Sequence, residues 1–321
     1  MNRILLSAVA VLMSGAAAMA EYPERPISFL VPWNAGGGTD AIARTFAAGL
    51  EKELGAKITV INRTGGAGVV GHQAMVTAEP DGYTIGLGTA ELVSFYWNGQ
   101  ADFTYEAYTP ISLINLDPAA FHVAADSEWK DLRQALDAIK AAPAGTYKIA
   151  GMAPGAAYHI ALSELLQKEG IDPVNITVIP TQGAAPGFQE LVSGGVEILP
   201  FSLPEGRTML EAGKTRVLAT FDAERSSAFP DVPTLKEAID LDYVNGTWRG
   251  IVAPAGLPAD IQARLSQASQ KVAESEEFKA FMEKQGYGIS YKNAEEFTAF
   301  LKEKQASVGE VLGLLKLRVR D

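Results

Sequence analysis

Three glycine-bearing stretches hold the residues best placed to do chemistry: Trp33-Asn34-Ala35-Gly36-Gly37-Gly38-Thr39-Asp40, then Arg63-Thr64-Gly65-Gly66-Ala67-Gly68-Val69-Val70-Gly71, then Gly88-Thr89-Ala90. Glycines between a strand and a helix let the backbone approach a ligand and aim free N–H groups at it, which suits a carboxylate or a phosphate. The same pattern serves a tight turn with no ligand, so the first stretch alone leaves both readings open. Gly66, Gly68 and Gly71 complete a G-x-G-x-x-G, and Glu91 follows about twenty residues later, as a dinucleotide fingerprint requires. Gly36, Gly38 and Ala41 fit the relaxed form of that motif. Other chemistries have less support. No G-x-S-x-G elbow occurs, and the chain has no cysteine. His72, His122 and His159 stand at no metal-pair spacing. His159, at the start of a helical pattern, reads as a cap or packing residue. Catalysis, a metal and a cofactor are therefore not expected.

These stretches need elements to position them. Ile27 to Val31 is β-branched and aromatic, as a buried strand is, and Ile42, Ala43, Phe46, Ala47, Leu50 and Leu54 recur on one helical face. Thr39 or Asp40 is placed to cap that helix and Gly55 to end it. A second strand over residues 57–62 precedes the second glycine stretch, and a helical run covers 72–77. A third strand over 83–87 precedes Gly88-Thr89-Ala90. Three such steps predict a parallel sheet whose loops gather at the carboxyl ends of the strands, where open α/β sheets bind ligands.

Residues 108–123 are extended and interrupted by Pro110 and Pro118, a crossing to a second unit. The pattern then resumes: helix 131–142, strand 147–151, the loop Met152-Ala153-Pro154-Gly155-Ala156-Ala157-Tyr158 and helix 159–168. Strand 176–179, the loop Thr181-Gln182-Gly183, a helix through Leu191 and strands 196–199 and 216–221 follow. A strand over 247–253 returns the chain to the first unit, and the remainder is mostly helical. The reading is two α/β lobes joined by two crossings, residues 21–121 with 246–321 forming the first and 122–245 the second.

The N-terminus bounds the setting. Asn2-Arg3, an apolar run to Met13 and Ala18-Met19-Ala20 form a secretory signal peptide cleaved after Ala20. No later stretch reaches about 18 consecutive apolar residues. The formal net charge of −11 includes Arg3, so loss of the signal gives −12, a balance that argues against nucleic acid as a partner. Export also argues against the dinucleotide reading, since an exported protein has little access to a cytoplasmic nicotinamide pool. Two lobes that close on a small ligand need no catalytic group. An exported binder serving a sensor, and an exported enzyme holding a nucleotide, are the alternatives.

Several segments together resemble one family. They are Tyr22-Pro23-Glu24-Arg25-Pro26-Ile27, Val31-Pro32-Trp33 through Arg44, Asn62-Arg63-Thr64-Gly65-Gly66-Ala67-Gly68 and Glu79-Pro80-Asp81-Gly82-Tyr83-Thr84. Gly194-Gly195-Val196-Glu197, Phe229-Pro230-Asp231-Val232-Pro233-Thr234 and Trp248-Arg249-Gly250-Ile251-Val252-Ala253-Pro254 follow in order. The chain is similar to the tripartite tricarboxylate transporter substrate-binding proteins, the TctC or Bug family. The resemblance implies a type II periplasmic binding fold with the ligand cleft between two lobes. It implies a monomeric receptor that delivers a small organic carboxylate to a permease with one large and one small membrane subunit. By motif it points to Trp33, Asn34, Ala35, Gly36, Gly37, Gly38, Thr39 and Asp40, to Thr64 and Gly65, to Gly88, Thr89 and Ala90, to Pro154, Gly155 and Tyr158, and to Thr181 and Gly183. Phe201 and Ser202 stand where the family has an aspartate. Arg44, Arg63 and Arg249 are the nearby cations, each read as a solvated surface residue. The loop after Gly151 lacks the family's usual hydroxyls. Met152, Tyr158 and Phe201 instead suggest a more apolar or aromatic mono- or dicarboxylate.

Overall fold

The computed structural model describes residues 22–151, 153–181 and 183–320; the expected signal over residues 1–20, Met152 and Gln182 lie outside them. The first part of the chain forms β1 (Ile27–Val31), α1 (Gly38–Leu54), β2 (Ile58–Asn62), α2 (Val69–Val76), β3 (Thr84–Thr89) and the long β4 (Tyr108–Pro118). The middle forms β5 (Ala120–Ala124), α3 (Leu132–Ala141), β6 (Lys148–Gly151), α4 (Ala157–Lys168), β7 (Thr177–Pro180), α5 (Ala184–Ser193), α6 (Leu203–Glu211), β8 (Thr215–Thr220) and α7 (Leu235–Ile239). The last part forms β9 (Gly246–Pro254), α8 (Ala259–Glu274), α9 (Glu276–Gln285), β10 (Ile289–Lys292) and α10 (Ala294–Leu314).

One sheet has the order β10-β4-β9-β3-β1-β2. Only β1, β2 and β3 run parallel, in register Ile27↔Ile58 and Ser28↔Thr84. The returning β9 lies antiparallel between β3 and β4, and β10 antiparallel on the edge of β4. The expected parallel pairing of the first three strands holds, and the strands added later make the sheet mixed. The reason is visible at Gly88 and Thr89, which were read as loop. They pair with Gly250 and Arg249, so β3 runs on to Thr89. The third step ends in a 3-10 turn over residues 90–93 in place of a helix.

The second sheet pairs β5 with β8 and β6 with β7. Ile198 bridges Ile149 of β6 and Leu199 bridges His122 of β5, which joins the two pairs. Its core packs Phe121, Ile149, Leu162, Leu165, Phe188 and Phe221. The first sheet has a core on each face. One lies against α1, α8 and α9, with Phe29, Phe46, Leu265 and Phe278; the other lies against α10, with Trp248, Phe297 and Leu312. The chain passes between the sheets twice, from Pro118 of β4 into Ala120 of β5 and back into β9 at Gly246. β4 and β9 are paired along their whole length up to that point, Pro118 opposite Gly246.

The glycines of the G-x-G-x-x-G have a packing origin. A Cβ on Gly71 would lie 2.5 Å from the Arg63 carbonyl oxygen and 2.6 Å from Pro32 Cα, so only glycine lets α2 press against the ends of β1 and β2. Helix α6, by contrast, had no counterpart in the sequence reading. It begins with a capping box in which Ser202 and Glu205 serve each other's ends of the first turn. Gly206 obscures the helical pattern there; its Cβ would lie 2.5 Å from the His122 ring.

Candidate ligand-binding site

The loop after β1 is held by its own helix. The cap of α1 is Gly37, with no side-chain cap, and the helix starts at Gly38, one residue before the expected capping positions. Asp40 serves instead as a staple: the Gly36 N–H and Arg44 Nε donate to its Oδ2, and Asn62 Nδ2 donates to its Oδ1, each at 2.9 Å. Asn62 Nδ2 also donates to the Trp33 carbonyl, which ties the loop to the end of β2. Burial would raise the Asp40 carboxyl pKa, but the bonds from Arg44, Gly36 and Asn62 outweigh it and hold the group below its ordinary value. With the loop so fixed, the N–H groups of Gly38, Thr39 and Asp40 have no backbone partner among the described residues, and they stand at the positive end of a 17-residue helix.

The neighbouring loops converge on this end. Trp33 is half-buried over Gly68 and donates Nε1 to Thr89 Oγ1 at 3.3 Å, and Thr89 Oγ1 donates to Glu91 Oε2 at 2.7 Å. Asn34, Ala35, Gly36, Gly37, Thr64 and Gly65 are exposed. Gly88, Thr89 and Ala90 are buried, and of these Thr89 connects to the loop residues through its hydroxyl.

In the second lobe, α4 and α5 also start without a side-chain cap, at Ala156 and Gly183. Pro154 is exposed, whereas Gly155 is buried against α10: a Cβ there would lie 2.8 Å from Leu312. Gly183 has φ +111°, and nothing lies within 4 Å of where its Cβ would be. Thr181 turns its hydroxyl inward to the Gly151 and Gly183 carbonyls. Tyr158 donates to Glu205 Oε2 at 2.6 Å, and Ser202 Oγ donates to the same oxygen at 2.9 Å. Phe201 is 1 % exposed, packed between Tyr158 and Phe188, so it belongs to the core of this lobe and forms no wall of an open cleft. Of the three residues behind the apolar-ligand reading, Met152 lies outside the described residues, Phe201 is core, and Tyr158 carries a hydroxyl bound to a carboxyl group.

Sequence reasoning placed Arg249 on the solvated surface. It is 6 % exposed and lies on β9, the strand between β3 and β4 in the first sheet. Its Nη1 donates to Asp117 Oδ2 at 2.6 Å and to Asn115 Oδ1, and its Nε donates to Thr39 Oγ1 at 2.9 Å. Asp117 is fixed in turn by Asn115 Nδ2 and the Gly288 N–H, both at 2.9 Å on Oδ1. Burial opposes the Arg249 charge, but Asp117, Tyr158 and Glu205 act on it and keep its pKa above the ordinary value. Burial raises the Glu91 and Glu205 carboxyls. The signals for this cluster were an Asn-x-Asp pair and an arginine inside otherwise apolar strands, the kind of buried polar group that needs a partner. A cavity of about 620 Å³ adjoins the cluster, lined by Asp117, Leu203, Asp222, Arg225, Lys279 and Tyr287. It contains none of the residues that the motifs pointed to.

The three histidines are structural groups, each buried and neutral. His72 donates Nδ1 to the Gly68 carbonyl and accepts the Thr89 N–H at Nε2, while His159 accepts the Gly155 N–H at Nδ1. Burial pushes His72 and His159 down to about 4 and His122 to about 3. Below the unfolded value of about 6.5, the unfolded chain takes up protons that the native chain refuses, so the histidine contribution to stability falls from about pH 6.5 down to about 4 for His72 and His159 and about 3 for His122. Glu91 and Glu205 act in the opposite sense, holding protons that the unfolded chain releases. Imidazole NMR of the folded protein isolates the histidines: none of the three should titrate between pH 7 and 5, and a ring with a midpoint near 6.5 would contradict their burial.

The sequence and the fold match those of known proteins. The family model described as the tripartite tricarboxylate transporter family receptor matches residues 42–317. A protein encoded in the gbd 5' region of Cupriavidus necator is 31 % identical over 309 residues, 92 % of this chain and 90 % of that one. A TctC solute-binding protein from Polaromonas, solved with no ligand, is 32 % identical with a TM-score of 0.77, over 91 % of this chain and 99 % of that one. MatC of Rhodopseudomonas palustris, solved with bound malate, is 25 % identical with a TM-score of 0.76, over 91 % and 100 %. The fold is the two-lobe α/β fold of periplasmic binding proteins. This family and this fold are those of binding proteins, and among the described residues no helix is long and apolar enough to cross a membrane. The chain belongs to the tripartite tricarboxylate transporter receptor family of periplasmic solute-binding proteins.

Proposed function

We propose that the protein is exported to the periplasm, loses residues 1–20, captures a small organic carboxylate between lobes 21–121 with 246–321 and 122–245, and delivers it to a membrane permease of one large and one small subunit. The observation that carries this is the pattern of helix caps. Helices α1, α4 and α5, whose first turns follow the motif loops, have Gly37, Ala156 and Gly183 at the cap and no side chain on their donors. Helices α3, α7, α9 and α10 are capped by Asp131, Thr234, Ser275 and Asn293, and α6 has a capping box of Ser202 with Glu205; α2 and α8 also lack a side-chain cap, at Gly68 and Pro258, the first of them again beside a motif loop. Uncapped donors at a helix N-terminus hold an anion, and a ligand carboxylate can supply what a capping side chain would. Hydrogen bonds to a charged group contribute about 1.5 to 3 kcal/mol each. A few of them account for much of the roughly 8 kcal/mol of a micromolar complex. Malate binding by the 25 % identical relative supports a carboxylate as the ligand class.

The test is a thermal-shift screen of the chain from residue 21 against malate and other small organic acids. A ligand at 100 times its Kd adds about 2.7 kcal/mol to the native state, which corresponds to roughly 5 °C in a protein of this size. A carboxylate shift of that order supports the proposal. No shift with any acid, and a shift with a nucleotide, would overturn it.

A further inference from the structure

We propose that Arg249 is the specificity-determining residue of this site: it selects a ligand with two acidic groups, one held by the N-terminus of α1 and the second by the Nη2 edge of the guanidinium. This rests on the reading of the site as a carboxylate receptor. Three observations lead to it. A guanidinium that is 6 % exposed meets most of its donor demand inside the protein, and Nη2 is not among the buried unpartnered atoms, so this edge keeps access to solvent. Its Nε and Nη1 are committed to Thr39, Asn115 and Asp117, and among the described residues Nη2 has no partner. The contact with Thr39 then fixes where that open edge lies, because Thr39 belongs to the first turn of α1. The cation therefore stands beside the free N–H groups of Gly38, Thr39 and Asp40, within the span of a short carbon chain.

The third observation is the immobility of the group. Asp117 and Asn115 on β4 and Thr39 on α1 hold the guanidinium from two elements, and Gly288 locks Asp117 behind it. A preorganised donor gains little from flexing toward a ligand that lacks the matching group. A monocarboxylate would seat its acid on α1 and leave Nη2 facing a hydrocarbon chain, with Tyr158 and Glu205 of the other lobe close enough to act on the Arg249 charge. Sites built to bond a polar group reject analogues without it more strongly than apolar pockets reject a misfit.

Calorimetry should compare malonate, succinate and glutarate with acetate, propionate and butyrate on the chain from residue 21. The wild type is expected to prefer the diacid of matched length by at least about tenfold, the effect of one charge-assisted bond. In Arg249→Gln that ratio should collapse to within about threefold. Arg249→Lys keeps a cation for Asp117 but loses the forked donor, and it should lose most of the preference too, which covers the case in which the glutamine variant fails to fold. Circular dichroism and melting confirm that the variant measured is native. A wild type without diacid preference, or a folded variant that retains it, overturns the proposal. Absence of any carboxylate binding by the wild type overturns this proposal together with the receptor reading, whereas monoacid binding without preference overturns this one alone.

Discussion

Asp117→Ala is expected to destabilise the protein by about 3 to 5 kcal/mol, the cost of leaving one member of a buried ion pair without its partner. The side chains of Arg249 and Asp117 are 7 % and 2 % exposed, and their contact is 2.6 Å. Removing the carboxylate leaves the guanidinium with Asn115 and Thr39, two neutral acceptors, and frees the Gly288 N–H that Asp117 also receives. Asp117→Asn, which keeps an oxygen in place, should cost less. The double variant Asp117→Ala with Arg249→Met should recover much of the loss, because most of the cost is the stranded charge. Denaturant unfolding of the four proteins measures this, with two probes to check that both lobes unfold together. A loss below about 1 kcal/mol for Asp117→Ala would mean that the pair is solvated like a surface ion pair.

Gly38→Pro should weaken carboxylate binding by about 10- to 100-fold, the loss of one hydrogen bond to a charged group. The substitution is chosen because it deletes a donor with little damage to the helix. Gly38 is the first residue of α1, where proline's fixed φ fits and its missing N–H costs no helical bond. Gly37 before it has φ −81° and ψ 170°, an extended conformation that a following proline accepts. The new Cβ would meet the Tyr287 hydroxyl at 2.9 Å, so the substitution is best made beside a Tyr287→Phe control, which removes that atom. Melting temperatures close to the control with a large loss of affinity would place the α1 donors on the ligand. Unchanged affinity would remove them from it.

Local pattern made some of this legible and left the rest hidden. The apolar spacing of Ile42, Phe46 and Leu50 and the glycine at 55 gave α1, and Gly55 indeed ends it in the left-handed region. The strand-loop-helix order gave the motif loops at the carboxyl ends of β1 and β2. Thr89 was misread because its strand continuation depends on β9, more than 150 residues away. A separation of more than 130 residues likewise hid the charge cluster. Nothing local to Arg249 shows that Asn115 will lie opposite it across the β4–β9 ladder, or that Asp117 is two residues further on. Helix α6 was locally announced, by Ser202 and Glu205 at capping-box spacing, but Gly206 hid it, a glycine whose reason is a histidine on another strand.

The division of labour between the two halves of the site follows from these contacts. In the first lobe the loop is locked by Asp40 and Asn62, so its N–H groups are presented before any ligand arrives. In the second, Tyr158, Ser202 and Glu205 hold one another, and Thr181 spends its hydroxyl on carbonyls of its own turn. On the proposed reading, that half closes over a ligand seated on the first, as two-lobe receptors do by hinge motion.

Isothermal titration of the chain from residue 21 with malate and a series of short diacids tests the central claim most directly. One saturable site of micromolar affinity or better, weakened by Gly38→Pro, is the expected result. Heats that show no binding for any small carboxylate, from protein that melts cooperatively, would contradict it.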